Sequence, residues 1–290
     1  MKQNSLATKE SNLNSLIEMY MSVSTIRPEI LFRYFLPIGY RYTTLSSIDS
    51  YSLGRVIFAK IHLGMIITLY DDLADHPEHR NPELLSELYN LNIEKDRPVP
   101  FYMRGQQRKI FELARVLFIQ LTEILQDFPY YENLKAVLVF DIEQFYSCNR
   151  YSELMSSLPD IRNLVESQSL GPHNMGIVAA GTIDLMSSPS FQFSELGVCR
   201  EVFLLGQRLG RISNLIFTYK REKMEGDLTN EIVIAKEDRG FDDYQTILLR
   251  EFGEKQSLIR SYNLRSFQTY LFAAGLLDLH NLHSSLEGKI

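Results

Sequence analysis

The stretch that most constrains the fold is Ile61–Asp75, IHLGMIITLYDDLAD, an apolar run that ends in three carboxylates, Asp71, Asp72 and Asp75. With the residues before it, it predicts one long buried helix over Ser46–Asp75. Phe58, His62, Met65 and Leu69 recur at helical spacing, and Ile61, Ile66 and Ile67 fill the other faces. On such a helix Asp71 and Asp75 stand one turn apart on one face, with Asp72 turned about 100° away. Two like charges that close raise each other's pKa unless a cation sits between them. Oxygen ligands without thiol or imidazole suit Mg2+, above all an ion shared with substrate phosphates. The plain alternative is a solvated acidic helix end, which the helix dipole disfavours.

A second stretch, Arg211–Asp227, reads RISNLIFTYKREKMEGD. Asn214, Thr218 and Glu222 are spaced i, i+4, i+8, so on a helix they share a sector of about 80° and span about 12 Å. An amide oxygen, a hydroxyl and a carboxylate in a row make a second oxygen-donor set for Mg2+. Three polar residues alone would equally be the wet stripe of an amphipathic helix.

Together the two stretches resemble a family. DDLAD is similar to the aspartate-rich DDxxD motif of class I terpene synthases, and NLIFTYKRE to their second motif, (N/D)Dxx(S/T)xxx(K/R)E. The order and separation of the two fit bacterial members, EGD with Asn230 resembles the usual continuation, and the likeness extends from about Ser46 to Leu286. Leu215 departs from the pattern at a position that is not a metal ligand in the family. The resemblance implies an all-α, single-domain antiparallel helical bundle with a central apolar cavity. It also implies three Mg2+ ions and an isoprenoid diphosphate substrate. The metal ligands would be Asp71, Asp75, Asn214, Thr218 and Glu222, with Asp72 a hydrogen-bonding partner and Arg221 on the diphosphate. Asp71, Asn214, Arg221 and Glu222 would carry the catalysis.

Two features of bacterial relatives are missing. The family's diphosphate-sensing arginine precedes a helix break. Here the break falls at Ser169–Met175, with Gly171 as its flexible glycine, but the sensor position holds Ser167 or Glu166, and Arg162 is the nearest arginine. The terminal Arg-Tyr pair is also absent, with Lys289 a poor substitute. This divergence, in a short chain, leans toward diterpene synthases over sesquiterpene ones.

The rest of the chain agrees with a helical enzyme. It has 290 residues, 45% of them hydrophobic, enough for a large core, and few glycines and prolines, 15 and 10. A net charge of −6 makes nucleic acid and anionic membranes unexpected partners. Two cysteines, Cys148 and Cys199, suit a reducing cytoplasm rather than a disulfide framework. The polar N-terminus lacks a signal core, the longest apolar run looks interrupted too early for stable membrane insertion, and a homodimer is compatible with the reading.

Residues 1–10 are expected to be disordered within a single 1–290 domain. Helices are expected at 13–23, 46–75, 82–91, 108–127, 131–155, 159–169, 174–186, 194–226, 242–260 and 264–286. Residues 27–42 read as loop with helical turns, and 227–241 as a polar loop, a candidate lid. No strand is expected.

In the second long helix Phe140, Phe145 and Tyr146 offer an aromatic inner face, from which Phe140 and Phe145 are taken as substrate-binding residues beside Asp72, Arg221 and Gly171. Tyr70 reads equally as cavity wall or core. His76 with His79, and His280 with His283, read as surface or hinge histidines, because no further ligand is spaced to complete a zinc site.

The reaction so implied is ionisation of an allylic diphosphate, preferentially C20 (geranylgeranyl or bicyclic copalyl type), then cyclisation or rearrangement of the carbocation. The alternatives are a sesquiterpene synthase using farnesyl diphosphate, a chain-elongating trans-prenyltransferase, and a helical binding protein without activity. Elongation would call for a second aspartate-rich motif, where this chain has Asn, Thr and Glu.

Overall fold

The computed structural model describes residues 2–76, 78–226, 229–240, 243–287 and 289–290, the side chains of 2–12 and 237–239 excepted. The helix of the first motif, α3, is apolar all round, which in a soluble fold requires burial on every face. It spans Leu53–Ala74, with fourteen buried residues, shorter at its start than expected. The Asp49 carboxylate turns the chain there, accepting the backbone N–H groups of Tyr51 and Ser52 at 2.8 Å each.

Around α3 stand α1 (Lys2–Val23), α2 (Leu36–Tyr42), α4 (Pro82–Leu88), α5 (Gly105–Leu125), α6 (Tyr131–Ser157), α7 (Leu164–Leu170) and α8 (Ile177–Ser187). The second half adds α9 (Leu196–Glu225), α10 (Glu231–Arg239), α11 (Tyr244–Ser261) and α12 (Thr269–Ser285). Among the described residues there is no strand, only an isolated bridge between Asn92 and Lys95. The all-α class expected from the sequence is therefore observed.

The helix α3 packs on α5, α6 and α8, and α9 packs on α8, α11 and α12. A fully buried ion pair fixes α3 to α8: Lys60 Nζ lies 2.6 Å from Asp184 Oδ1, and Leu45 N donates to Asp184 Oδ2 at 3.1 Å. Both side chains have no exposed surface. On length and composition α3 could also cross a membrane, contrary to the expectation that its apolar run is too short. Here most of it is covered by protein.

Other departures have local causes. The first helix takes in residues 2–10, which the sequence reading left unstructured. A π-helical turn, Leu31–Phe35, leads into α2, where Pro37 lacks an N–H and cannot continue an ordinary α-helical ladder. The expected polar loop over 227–241 contains α10, whose residues Ile232, Val233, Ile234 and Ala235 are buried. Residues 231–235 are packed structure rather than an open polar lid, and Asp227, Leu228 and Phe241 lie outside the described residues.

The helix break forms where expected, with a different glycine at its hinge. A 3-10 turn, Gly171–Met175, separates α7 from α8. Gly171 has ordinary helical angles, φ −52° and ψ −37°. The left-handed residue is Gly176, at φ 63°, and a Cβ there would stand 2.2 Å from Ile67 Cδ1. Only glycine meets both demands at once.

Candidate active site

The last turn of α3, the 3-10 turn of the break and the C-terminal half of α9 line a common cavity of about 230 Å³. Asp71 and Asp75 reach it from α3, Asn174 from the break, and Asn214, Thr218 and Glu222 from α9. Both predicted donor sets thus line a single space. Apolar side chains complete the wall: Leu31, Phe35 and Leu36 from the segment before and into α2, Ile67 from α3, Phe272 and Leu279 from α12.

The aspartates are not left to repel each other. Arg27, far upstream, enters between them: its Nε donates to Asp72 Oδ1 at 2.6 Å, and its NH2 lies 3.5 Å from Asp71 Oδ2. Asn174 Nδ2 donates to Asp71 Oδ1. Burial works against the Arg27 charge, but Asp72 and Asp71 outweigh it and hold the guanidinium firmly protonated. Burial pushes the Asp72 carboxyl up to about 7 against the pull of Arg27, and the Asp71 charge adds to the rise. Asp72 has no exposed surface and does not line the cavity. It hydrogen-bonds Arg27 from outside the cavity wall, so its assignment as a substrate-binding residue is not supported by the geometry.

On α9, Thr218 Oγ1 donates to Asn214 O at 2.7 Å, which leaves its lone pairs for another partner. Glu222 Oε2 accepts from Asn230 Nδ2 at 2.8 Å, and Asn230 Oδ1 caps α10 by accepting from Ile232 N. Arg221 lines the cavity and pairs with Glu225, NH1 to Oε2 at 3.0 Å, while Lys220 points away, 80% exposed, to Glu287.

Of the assigned substrate contacts, Phe140, Phe145 and Gly171, like Asp72, lie outside the cavity wall. Phe140 is 53% exposed, on the outer face of α6 beneath the Arg200 guanidinium. Phe145 is buried, but in an aromatic cluster with Tyr70 and Tyr146 rather than in the cavity wall. Tyr70 is core: it stacks on Tyr146 at 5.4 Å and donates to Leu88 O. Gly171 is also outside the cavity wall; a Cβ there would stand 3.3 Å from Arg211 Nε.

That contact leads to residues the sequence reading missed. Arg211 lines the cavity, donates to Asn214 Oδ1 at 3.2 Å, and has a sealed Nε without a hydrogen-bond partner. Its nearest carboxylate is Glu231, at 3.8 Å, which Arg208 already binds with two hydrogen bonds. Arg211 extends the spacing of the second motif by one turn, so the stripe 211, 214, 218, 222 was legible. Arg27 and Asn174 carried no local signal. His283 also lines the cavity, 8% exposed, where the sequence suggests a surface or hinge histidine.

These donors fit Mg2+ as a shared ion. Among the described residues no three His, Cys, Asp or Glu side chains stand close enough to hold a metal by themselves. The set is instead a few carboxylates with amide and hydroxyl oxygens around open space, and Asn174 Oδ1 is sealed without a partner. Mg2+ is commonly held that way, by one or two carboxylates with phosphate oxygens and water completing the shell. No protein-family model matches this chain, and no curated protein matches it.

Proposed function

We propose that the protein is a class I terpene synthase. It would ionise an isoprenoid diphosphate, C20 in the first instance and C15 in the second, and release diphosphate and a cyclised or rearranged hydrocarbon or alcohol. One observation carries this reading: both oxygen-donor sets, Asp71 with Asp75 and Asn214 with Thr218 and Glu222, line one cavity whose wall is in larger part apolar.

Bound there, Mg2+ would supply Lewis-acid stabilisation of the charge that builds on the departing diphosphate. The chain's own groups do the rest. Asp71, Asp75, Asn214, Thr218 and Glu222 present oxygens to the ions. Arg211, Arg221 and Arg27 line the same end and offer fixed positive charge to phosphate oxygens. Arg211, which donates to Asn214 Oδ1, adds a positive charge in a chain that lacks the sensor arginine. Phe35, Tyr40 and Phe272 in the wall can face a carbocation with their rings, and the apolar side chains beside them would limit quenching by water.

The test is incubation of the purified protein with Mg2+ and linear C10, C15 and C20 prenyl diphosphates and bicyclic copalyl-type diphosphate, following diphosphate release and organic-soluble product. Hydrocarbon or alcohol with release of diphosphate supports the reading. Longer prenyl diphosphates would mean chain elongation, and no turnover of any substrate would argue against an enzyme of this class. Asp71→Ala and Asn214→Ala should each abolish turnover while the far-ultraviolet circular dichroism stays helical.

A further inference from the structure

The wall of the cavity contains a histidine that the metal and diphosphate chemistry does not use. His283 sits near the end of α12, on one stripe with Phe272 and Leu279, and all three line the cavity. The rings of Phe35 and Phe217 hold it from two sides, at 5.2 and 5.4 Å between centroids. Phe217 directly precedes Thr218, so His283 stands just below the oxygen-donor end. Among the described residues neither ring nitrogen makes a hydrogen bond, neither is sealed without one, and the residue lines the cavity.

Its neighbour is differently disposed. His280 is tied to Ser213 Oγ through Nδ1 at 2.8 Å and packs between Phe217 and Phe252. His280 is a structural residue with an occupied nitrogen; His283 is a base without an assignment. An imidazole kept neutral by burial among aromatic rings, at a cavity wall and without a hydrogen-bond partner, is equipped to accept a proton.

We propose that His283 is the base that ends the reaction. This rests on the terpene synthase reading. After the C–O bond to diphosphate has broken and the carbon skeleton has rearranged, a C–H bond next to the cationic carbon breaks. Its electron pair forms the new C=C bond, and the proton passes to the open ring nitrogen of His283. The imidazolium returns the proton to water or to the departing diphosphate when the products leave, so the protein ends unchanged. The step fits carbon held at the upper part of the cavity, near the ionised end of the chain.

The experiment compares wild-type protein with His283→Phe and His283→Ala, measuring diphosphate release and the product profile by gas chromatography. His283→Phe keeps a ring between Phe35 and Phe217 and removes the base. The ratio of native olefin to diphosphate released should fall by about 10²-fold, the lower range for loss of a general base. The carbon should appear instead in isomeric olefins or alcohols.

His283→Ala opens a space the size of the lost ring. Added imidazole should restore the native olefin, whereas pyrazole, of equal size and much weaker basicity, should not. A purely packing role predicts equal rescue by both, and that result would overturn the proposal, as would an unchanged product ratio in His283→Phe. If the wild-type protein releases no diphosphate from any substrate, the terpene synthase reading fails first and takes this step with it.

Discussion

At the residue scale the site is a matter of which charges face inward. Arg221 and Lys220 are adjacent in sequence, yet one lines the cavity and the other is solvated. Arg221→Ala is expected to lower kcat/KM by about 2–4 kcal/mol, the scale of losing one electrostatic donor in a transition state. Arg221→Lys should recover only part of that, because an ammonium cannot grip phosphate in bidentate fashion. Lys220→Ala is the control, and equal effects from the two alanine variants would remove Arg221 from the site.

A second residue-scale prediction concerns acid stability. Burial lowers His283 from 6.5 to about 4, with His280 and Arg221 adding to the fall and Glu287 opposing it. The unfolded chain therefore binds a proton at this residue near pH 6.5, and the folded chain does so only near pH 4. The contribution of His283 is complete above pH 6.5 and declines as pH falls toward 4, by up to about 3 kcal/mol. Denaturant unfolding of wild type and His283→Phe across that window should show the variant losing less stability by about this amount.

At the element scale the fold depends on how α3 is fastened. It is the helix that presents the first donor set, and its position relative to α8 is fixed by Lys60 and Asp184, both without exposed surface. Lys60→Met would leave a carboxylate buried without its cation, at a cost of about 3–5 kcal/mol. The double variant Lys60→Met/Asp184→Leu should recover most of that loss in a denaturant melt, since well-packed apolar residues can replace a buried pair. A double variant as unstable as the single one would mean that shape, not charge, fixes this contact. A similar constraint acts between α12 and α2, where a Cβ on Gly275 would stand 1.9 Å from Tyr42 O. The approach of these two helices sets how Phe272, Leu279 and His283 face the cavity.

At the scale of the whole molecule, the donor end gathers Asp71, Asp75, Glu222 and Glu225 against Arg27, Arg211 and Arg221. A divalent cation with a multiply charged anion can satisfy both signs together. Mg2+ and inorganic pyrophosphate added together should therefore raise the melting temperature more than the two separate shifts combined. At concentrations near 100 times the dissociation constant the gain is about 2.7 kcal/mol. Asp71→Ala and Asn214→Ala should lose the joint shift, and a joint shift unchanged in both would place the ions elsewhere. The sequence by itself determined the all-α class, nearly every helix, and the two donor sets on α3 and α9, because helical spacing decides which residues share a face. It did not determine how each face is rotated toward its neighbours. Phe140 and Phe145 lie on a helix read correctly, yet one faces solvent and the other faces Tyr70. Arg27, Asn174 and His283 join the site from segments far apart in the chain, and Gly176, not Gly171, carries the left-handed turn of the break. Those choices came from packing, in which Ile67 leaves no room for a Cβ and a buried Asp72 draws in a distant arginine. Neither constraint has a period that a sequence can display.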